Sequence, residues 1–261
     1  MKHQVRLFFT ALMFYTRIPC PSWVDHDEDY LNKATIYFPF IGWIVGLGAY
    51  VAFALGTQFL GFWPAAVVSL AVSVLITGAF HEDGLADVCD AFGGGWTKEQ
   101  ILTIMKDSRL GTYGVMGLIL ALMLKVSFIL ELCTYTSSCT LACIFCTAHS
   151  LSRASAVVVV YTTDYARDDA TSKSKPVAKR LSGSELSLAM LLGVLPLLLL
   201  CILAQNAWFL LVLPALWLLT QRLRAYFLKW IEGYTGDCLG ATQQFTELLI
   251  YAVILVLYAV S

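Results

Sequence analysis

The chain has 261 residues, of which 59% are hydrophobic and 13% charged, about half the ~25% charge of a soluble domain. A mean hydropathy of +0.73 excludes a water-soluble globule and points to an all-α, polytopic membrane bundle, because one core cannot hide so many apolar side chains. With 17 basic and 18 acidic residues the net charge is −1, which excludes a bulk electrostatic pull on nucleic acid.

Residues 4–18 form an apolar run interrupted by Arg6 and Arg17. It is too short and too charged to cross a bilayer, so a helix lying on the interface is expected, ended by Pro19 and Pro21. Residues 22–33 are polar and acidic, the composition of an exposed loop. Seven apolar stretches follow, near 34–56, 62–80, 113–133, 137–161, 186–204, 207–229 and 243–260. Each is long enough for a hydrocarbon core of ~30 Å. The expectation is about seven spans plus the interfacial helix in one membrane-embedded domain. Gly42 and Gly46 in the first stretch have the spacing that lets helices pack closely. The eight cysteines show no paired framework; Cys143-Ile-Phe-Cys146 lacks a second pair and reads as helix packing rather than a metal site.

Fifteen of the 17 basic residues fall on one side of this pattern, including Arg167, Lys173, Lys175, Lys179 and Arg180 in a long loop at 163–184. The excess of Lys and Arg on cytoplasmic loops makes that side cytoplasmic, with the N-terminus inside and the C-terminus outside. Lys125 and Arg153 lie within spans. Lys125 is expected to pair or to reach the interface. Arg153 follows His149 by one helical turn and either meets an anionic substrate or pairs internally.

The candidate chemistry collects on the basic side. His81-Glu-Asp-Gly-Leu-Ala-Asp-Val-Cys-Asp90 follows an apolar run. Asp83, Asp87 and Asp90, at i, i+4 and i+7, share one narrow stripe of a helix. Three carboxylates on one face repel one another unless a cation sits between them, and hard oxygen ligands suit Mg²⁺ or Mn²⁺. A solvated acidic helix start is the plainer alternative. Gly93-Gly-Gly95 can act as a hinge or bring amides to an anion. Thr97 and Gln100 have the spacing of a helix cap. Lys106 and Arg109 can neutralise phosphate oxygens, and Asp107 is a further candidate ligand or catalytic carboxylate. Gly236-Asp237 at a helix start can present a carboxylate and amides together. Carboxylates, bases and glycine-rich turns at one membrane face fit metal-assisted transfer of a phosphoryl or phospho-alcohol group.

At these residues the chain resembles the cobalamin synthase family, the adenosylcobinamide-GDP ribazoletransferases. The matching pieces are Phe14-Tyr-Thr-Arg17-Ile-Pro19, Tyr37-Phe-Pro39-Phe-Ile-Gly42, the whole of His81–Asp90, Ile104-Met-Lys106-Asp107-Ser-Arg109-Leu-Gly111 and Thr235-Gly236-Asp237-Cys-Leu-Gly240-Ala. Tyr165-Ala-Arg167 resembles a further segment, but Asp-Asp-Ala-Thr-Ser-Lys follows it in place of a Gly-rich run. The resemblance implies a Mg²⁺-dependent membrane transferase late in coenzyme B12 assembly. It would join adenosylcobinamide-GDP to α-ribazole or its 5′-phosphate and release GMP. It implies metal at Asp83, Asp87 and Asp90, with Glu82 or Asp237, and phosphate or substrate contacts at Arg17, Lys106, Arg109, Arg153 and Gly236. His81 or one of the carboxylates would take the hydroxyl proton. The implied partners are these small molecules and membrane lipids, with no nucleic acid; self-association is compatible with the sequence. A CDP-alcohol phosphotransferase fits less well, because Leu-Ala-Asp-Val follows Asp83-Gly84 where that family has an Ala-Arg pair. A transporter would need polar sites near the midplane on broken helices.

Overall fold

The computed structural model describes residues 2–24, 28–166 and 181–260. Arg167, Lys173, Lys175, Lys179 and Arg180 lie outside the described residues. Every regular element among those described is helical, apart from a lone parallel bridge between Tyr165 and Tyr234. The helices are α1 (Lys2–Tyr15), α2 (Glu28–Ala34), α3 (Phe38–Phe59), α4 (Phe62–Thr77), α5 (Phe80–Gly94), α6 (Lys98–Ile104), α7 (Thr112–Tyr135), α8 (Ser138–Thr162), α9 (Gly183–Leu203), α10 (Val212–Ile231) and α11 (Gly236–Val260). All seven expected stretches are helices, so the chain is a polytopic helical membrane protein.

Five helices are long and apolar enough to cross a membrane alone: Tyr30–Phe59, α7, α8, α9 and α11. The count is six if α4 and α5, which meet at 92°, are one broken span. Two of the seven expected spans therefore behave differently. The 16 residues of α4 reach only about 24 Å at 1.5 Å per residue. The chain then turns through Gly78 (φ 68°) and Ala79 (φ 61°), two successive left-handed residues. Ala79 carries a Cβ there, a conformation that costs about 1–2 kcal/mol. The other exception, α10, holds Arg222, Arg224 and Lys229 in 20 residues. It still runs the depth of the bundle. Phe209, just before it, meets Tyr258 near the end of α11 at 4.9 Å, and Tyr234, just after it, bridges to Tyr165. Arg224 donates to the Thr162 carbonyl and the Thr163 hydroxyl, both at 3.0 Å, so this intruding charge caps the exposed carbonyl end of α8.

The 22–33 segment, expected as a loop, is helical from Glu28, and α2 runs through a 3-10 turn into α3. Leu, Lys and Ala favour a helix, and acidic residues suit its first turn. Packing adds to this: the Arg6 guanidinium lies 4.5 Å over the Tyr30 ring and joins α1 to α2. The buried side of α1, with Leu7, Ala11 and Tyr15, enters the main core.

The central post is α8, whose apolar window is 89% buried. Gly42 and Gly46 bring α3 against it: a Cβ on Gly46 would lie 2.7 Å from the Phe145 carbonyl oxygen, and one on Gly42 would meet the His149 carbonyl. The small-residue spacing is thus a packing device. On the opposite flank α9 carries Pro196, which has no N–H for the Leu192 carbonyl. The Trp43 indole N–H supplies it at 2.9 Å. The Ser150 hydroxyl reaches the next carbonyl, that of Gly193, at 3.0 Å. In hydrocarbon such substitution is required, because no water can do it. On the outside, Met116, Leu120, Met123 and Leu124 of α7 and Leu191, Leu195 and Ile202 of α9 are exposed, as a surface facing lipid chains should be. All eight cysteines are free thiols.

Candidate active site

The right-angle turn after α4 lays α5 across the start of α11. The two helices cross at glycines: a Cβ on Gly84 would lie 2.9 Å from the Asp237 carbonyl oxygen and 3.2 Å from the Gly240 Cα. The acidic stretch and the Gly236-Asp237 segment, 150 residues apart, are thereby adjacent. Asp83 is exposed at this crossing, and Asp87 and Asp237 are half-buried. Gly84→Val is expected to force the helices apart at a cost of about 1–3 kcal/mol, the usual range for overpacking. Thermal unfolding in detergent checks it, and a melting temperature equal to wild type would refute the close crossing.

Asp90 closes the other side. Its carboxylate accepts the Gly111 N–H at 2.7 Å and the Gly114 N–H at 2.8 Å, so it caps α7 from a neighbouring helix. Asp83, Asp87 and Asp90 share a stripe, but its far end is buried under the start of α7 and committed to amides. Among the described residues no three His, Cys, Asp or Glu side chains converge on one point. The expected three-carboxylate cage is therefore not assembled by this helix face.

Asp90 also fixes the turn between α6 and α7, where the second expected cluster sits. The exposed Lys106 precedes an Asp107–Arg109 fork: Arg109 Nη2 donates to Asp107 Oδ2 at 2.7 Å and Nε to Oδ1 at 3.0 Å. The guanidinium beside it holds the Asp107 carboxyl down at about 2, so the pair persists until the pH falls to that value. A carboxylate this acidic is a weak base near neutral pH; its visible role is to orient Arg109. These residues, with Asp90, Gly94 and Tyr113, line a cleft of about 490 Å³, within the ~300–1,000 Å³ of ligand pockets. A buried contact from the Thr235 hydroxyl to the Met105 sulfur, 3.6 Å, ties this turn to the start of α11.

The glycine run has a packing role. Gly93 and Gly94 complete α5, and Gly93 lies where a Cβ would be 2.6 Å from the Tyr113 ring. Thr97 caps α6, accepting the Gln100 N–H at 3.3 Å. Arg17 is exposed at the break between α4 and α5: its N–H donates to the Ile76 carbonyl at 2.7 Å and its side chain lies against Gly78.

Glu82, Arg153 and His81 lie deeper. Glu82 Oε1 accepts from the Gln244 side chain at 2.9 Å. Gln244 also donates to Gln243 at 2.9 Å, and Gln243 donates to Glu247 at 2.6 Å. Glu247 faces Lys125 Nζ at 3.0 Å and His149 Nδ1 at 3.6 Å. Arg153 donates to the His149 carbonyl at 2.8 Å and lies 5.6 Å over the Phe38 ring. Lys125, Glu247 and Arg153 are each at most 2% exposed. This column runs from the acidic helix to mid-depth of the bundle. Lys125 is paired, as expected. Arg153 belongs to the column rather than to the surface that carries Lys106 and Arg109. Sequence reasoning singled out none of Glu247, Gln243 and Gln244, although all three lie inside the expected 243–260 stretch. The signal was present: an acidic residue inside an apolar stretch needs a partner, and Lys125 was one. The helix starts seven residues earlier because its polar residues are satisfied along it; the Thr242 hydroxyl, for instance, donates to the Cys238 carbonyl at 2.7 Å. His81 is 2% exposed and stacks on Phe38 at 5.7 Å.

Residues 7–255 match the family Cobalamin-5-phosphate synthase (CobS). A protein of Shewanella frigidimarina named adenosylcobinamide-GDP ribazoletransferase is 45% identical over 252 residues, 97% of this chain and 95% of the relative. Relatives of the same name from Shewanella oneidensis and Shewanella pealeana are 43% and 44% identical, over 97% and 98% of this chain and 95% and 97% of their own lengths. No solved structure matches. With nearly its whole length matched, the chain belongs to the cobalamin-5-phosphate synthase family.

Proposed function

We propose that this protein joins adenosylcobinamide-GDP to α-ribazole, or to ribazole 5′-phosphate, where α5, the α6–α7 turn and the start of α11 meet. The observation that carries this reading is the crossing at Gly84 and Gly240, which packs the acidic stretch of α5 against the Asp237 backbone. Asp90 holds the turn bearing Lys106 and Arg109 to the same helix. A diphosphate needs positive charge around its oxygens, and Lys106 and Arg109 supply it from one side. A ribazole hydroxyl attacks the phosphorus attached to the aminopropanol arm. The new P–O bond forms as the bond to the GMP phosphate breaks, GMP leaves, and the hydroxyl proton passes to a carboxylate or to His81.

Mg²⁺ is the expected cofactor. Asp83 and Asp87, one turn apart, suit an ion that takes one or two carboxylates and fills its shell with phosphate oxygens and water. Bound there it would neutralise the diphosphate. Asp90 is left out of this set, because the α7 amides occupy it. The charge asymmetry of the loops supports a cytoplasmic position for this end, in a bacterial inner membrane.

The test is GMP release by purified protein in nanodiscs, with both substrates, with and without Mg²⁺. GMP that needs both substrates and the ion is the expected result. A folded, metal-supplied protein that releases none would refute the reading.

A further inference from the structure

The helix α5 has cations at both ends. At its far end Asp90 fastens the turn that bears Lys106 and Arg109. At its near end, beside the break from α4, stands Arg17. The Arg17 N–H donates to the Ile76 carbonyl at 2.7 Å. The neighbouring Thr16 hydroxyl donates to the Leu12 carbonyl at 2.6 Å and accepts the Ile18 N–H at 3.2 Å, so the backbone on both sides is pinned. The Arg17 side chain lies on Gly78, where a Cβ would collide with the guanidinium. Gly78 has φ 68°, so the glycine that turns the chain also seats the arginine. The guanidinium is exposed, and among the described residues no carboxylate or carbonyl accepts from it. Arg109, Arg153 and Arg224, by contrast, are committed to Asp107, the His149 carbonyl and the end of α8. A seated guanidinium without a protein partner is a position for an anion.

We propose that Arg17 holds the 5′-phosphate of the attacking ribazole nucleotide, at the opposite end of α5 from the GDP. This rests on the function proposed above and adds the residue that tells the phosphorylated acceptor from the unphosphorylated one. Separation is the first reason. Phe80 to Asp90 is a rise of about 15 Å at 1.5 Å per residue, longer than a diphosphate. The cleft of about 490 Å³ at Lys106 and Arg109 has room for the nucleotide end of the donor, which leaves Arg17 to a different phosphate. Register is the second. The Asp83 N–H donates to the Ala79 carbonyl at 2.9 Å, so the most open carboxylate stands one turn from the break where Arg17 sits. In a ribazole nucleotide only the ribose separates the ring hydroxyls from the 5′-phosphate. A hydroxyl brought to Asp83 therefore carries that phosphate toward the break. Charge is the third. A phosphate near Asp83 and Asp87 is repelled by both, and a guanidinium, whose fork matches two phosphate oxygens, offsets this. An acceptor without the phosphate gains nothing from it.

The experiment compares two acceptors that differ only in that phosphate. GMP release is followed with ribazole 5′-phosphate and with α-ribazole, for wild type, Arg17→Lys and Arg17→Ala, in a maltoside detergent that carries no phosphate. The quantity read is the ratio of kcat/KM, phosphorylated over unphosphorylated. It is expected to fall about tenfold or more in Arg17→Ala, the worth of a hydrogen bond to a charged group. Arg17→Lys keeps the charge and loses the fork, so its ratio falls less. The KM for adenosylcobinamide-GDP should move far less than that for ribazole 5′-phosphate. An unchanged ratio in a variant that melts near wild type would overturn the proposal and leave the transferase reading standing. A phospholipid headgroup offers similar phosphate oxygens at a membrane face, so the assay is repeated with phosphatidylglycerol added. A loss in Arg17→Ala that is equal for the two acceptors, and seen only with that lipid, would assign Arg17 to lipid and overturn the proposal. Equilibrium dialysis of labelled ribazole 5′-phosphate needs no turnover. Saturable binding that Arg17→Ala weakens supports the contact even if no GMP were released. Equal binding to the two proteins, or none to either, would overturn it.

Discussion

Asp83→Asn is expected to lower GMP release by about a hundredfold or more while leaving the fold intact. The substitution keeps size and shape and removes one negative charge from the carboxylate that stands most open at the α5–α11 crossing. If that charge holds a divalent ion against the diphosphate, its loss costs several kcal/mol of transition-state stabilisation, and each 1.36 kcal/mol is tenfold in rate. Asp83 is exposed, so the melting temperature should stay near wild type. Asp87→Asn, half-buried one turn on, should instead raise the Mg²⁺ concentration needed for half-maximal rate. The measurement is a Mg²⁺ titration of GMP release for the three proteins. An Asp83→Asn enzyme with wild-type rate at every Mg²⁺ concentration would remove Asp83 from the site.

The second large effect concerns stability. Glu247→Leu is expected to destabilise the protein by about 3–5 kcal/mol, because it leaves Lys125 as a buried charge without its partner. Lys125→Met should do the same from the other side. The double variant should recover most of the loss, since a buried ion pair replaced by apolar side chains of similar volume is often neutral. The cycle is measurable by thermal unfolding in a fixed detergent. Single variants as stable as wild type would show that the 3.0 Å contact between Lys125 and Glu247 is not a strong interaction. The singles should also disturb activity, because Glu247 holds Gln243, which is held in turn by Gln244, the partner of Glu82.

These two predictions differ in how far the sequence reaches. Asp83 is visible in the one-dimensional order: a carboxylate stripe after an apolar run, beside Gly84, in a chain too apolar to be soluble. Helical periodicity is local, so it survives without the fold. The same locality misjudges Asp90. Its place on the stripe is right, yet its carboxylate serves the amides of Gly111 and Gly114, and no pattern within 81–90 encodes which helix start will arrive above it. Glu247 shows the opposite failure. It lies inside the expected 243–260 stretch, yet no local pattern names Lys125, on another helix, as its partner at 3.0 Å.

The sequence by itself determined the class of protein, the positions of its apolar helices and the close packing at Gly42 and Gly46. Composition, period and glycine spacing are properties of short segments and need no knowledge of neighbours. Only the tertiary structure decided that α4 stops short and α5 turns at 92°, that α5 and α11 cross at Gly84 and Gly240, and that Lys125 meets Glu247 and Arg153 the His149 carbonyl. Those facts depend on which surfaces meet. Inside a bundle a buried charge or an unpaired carbonyl is settled by its neighbour in space, however far away that neighbour lies along the chain.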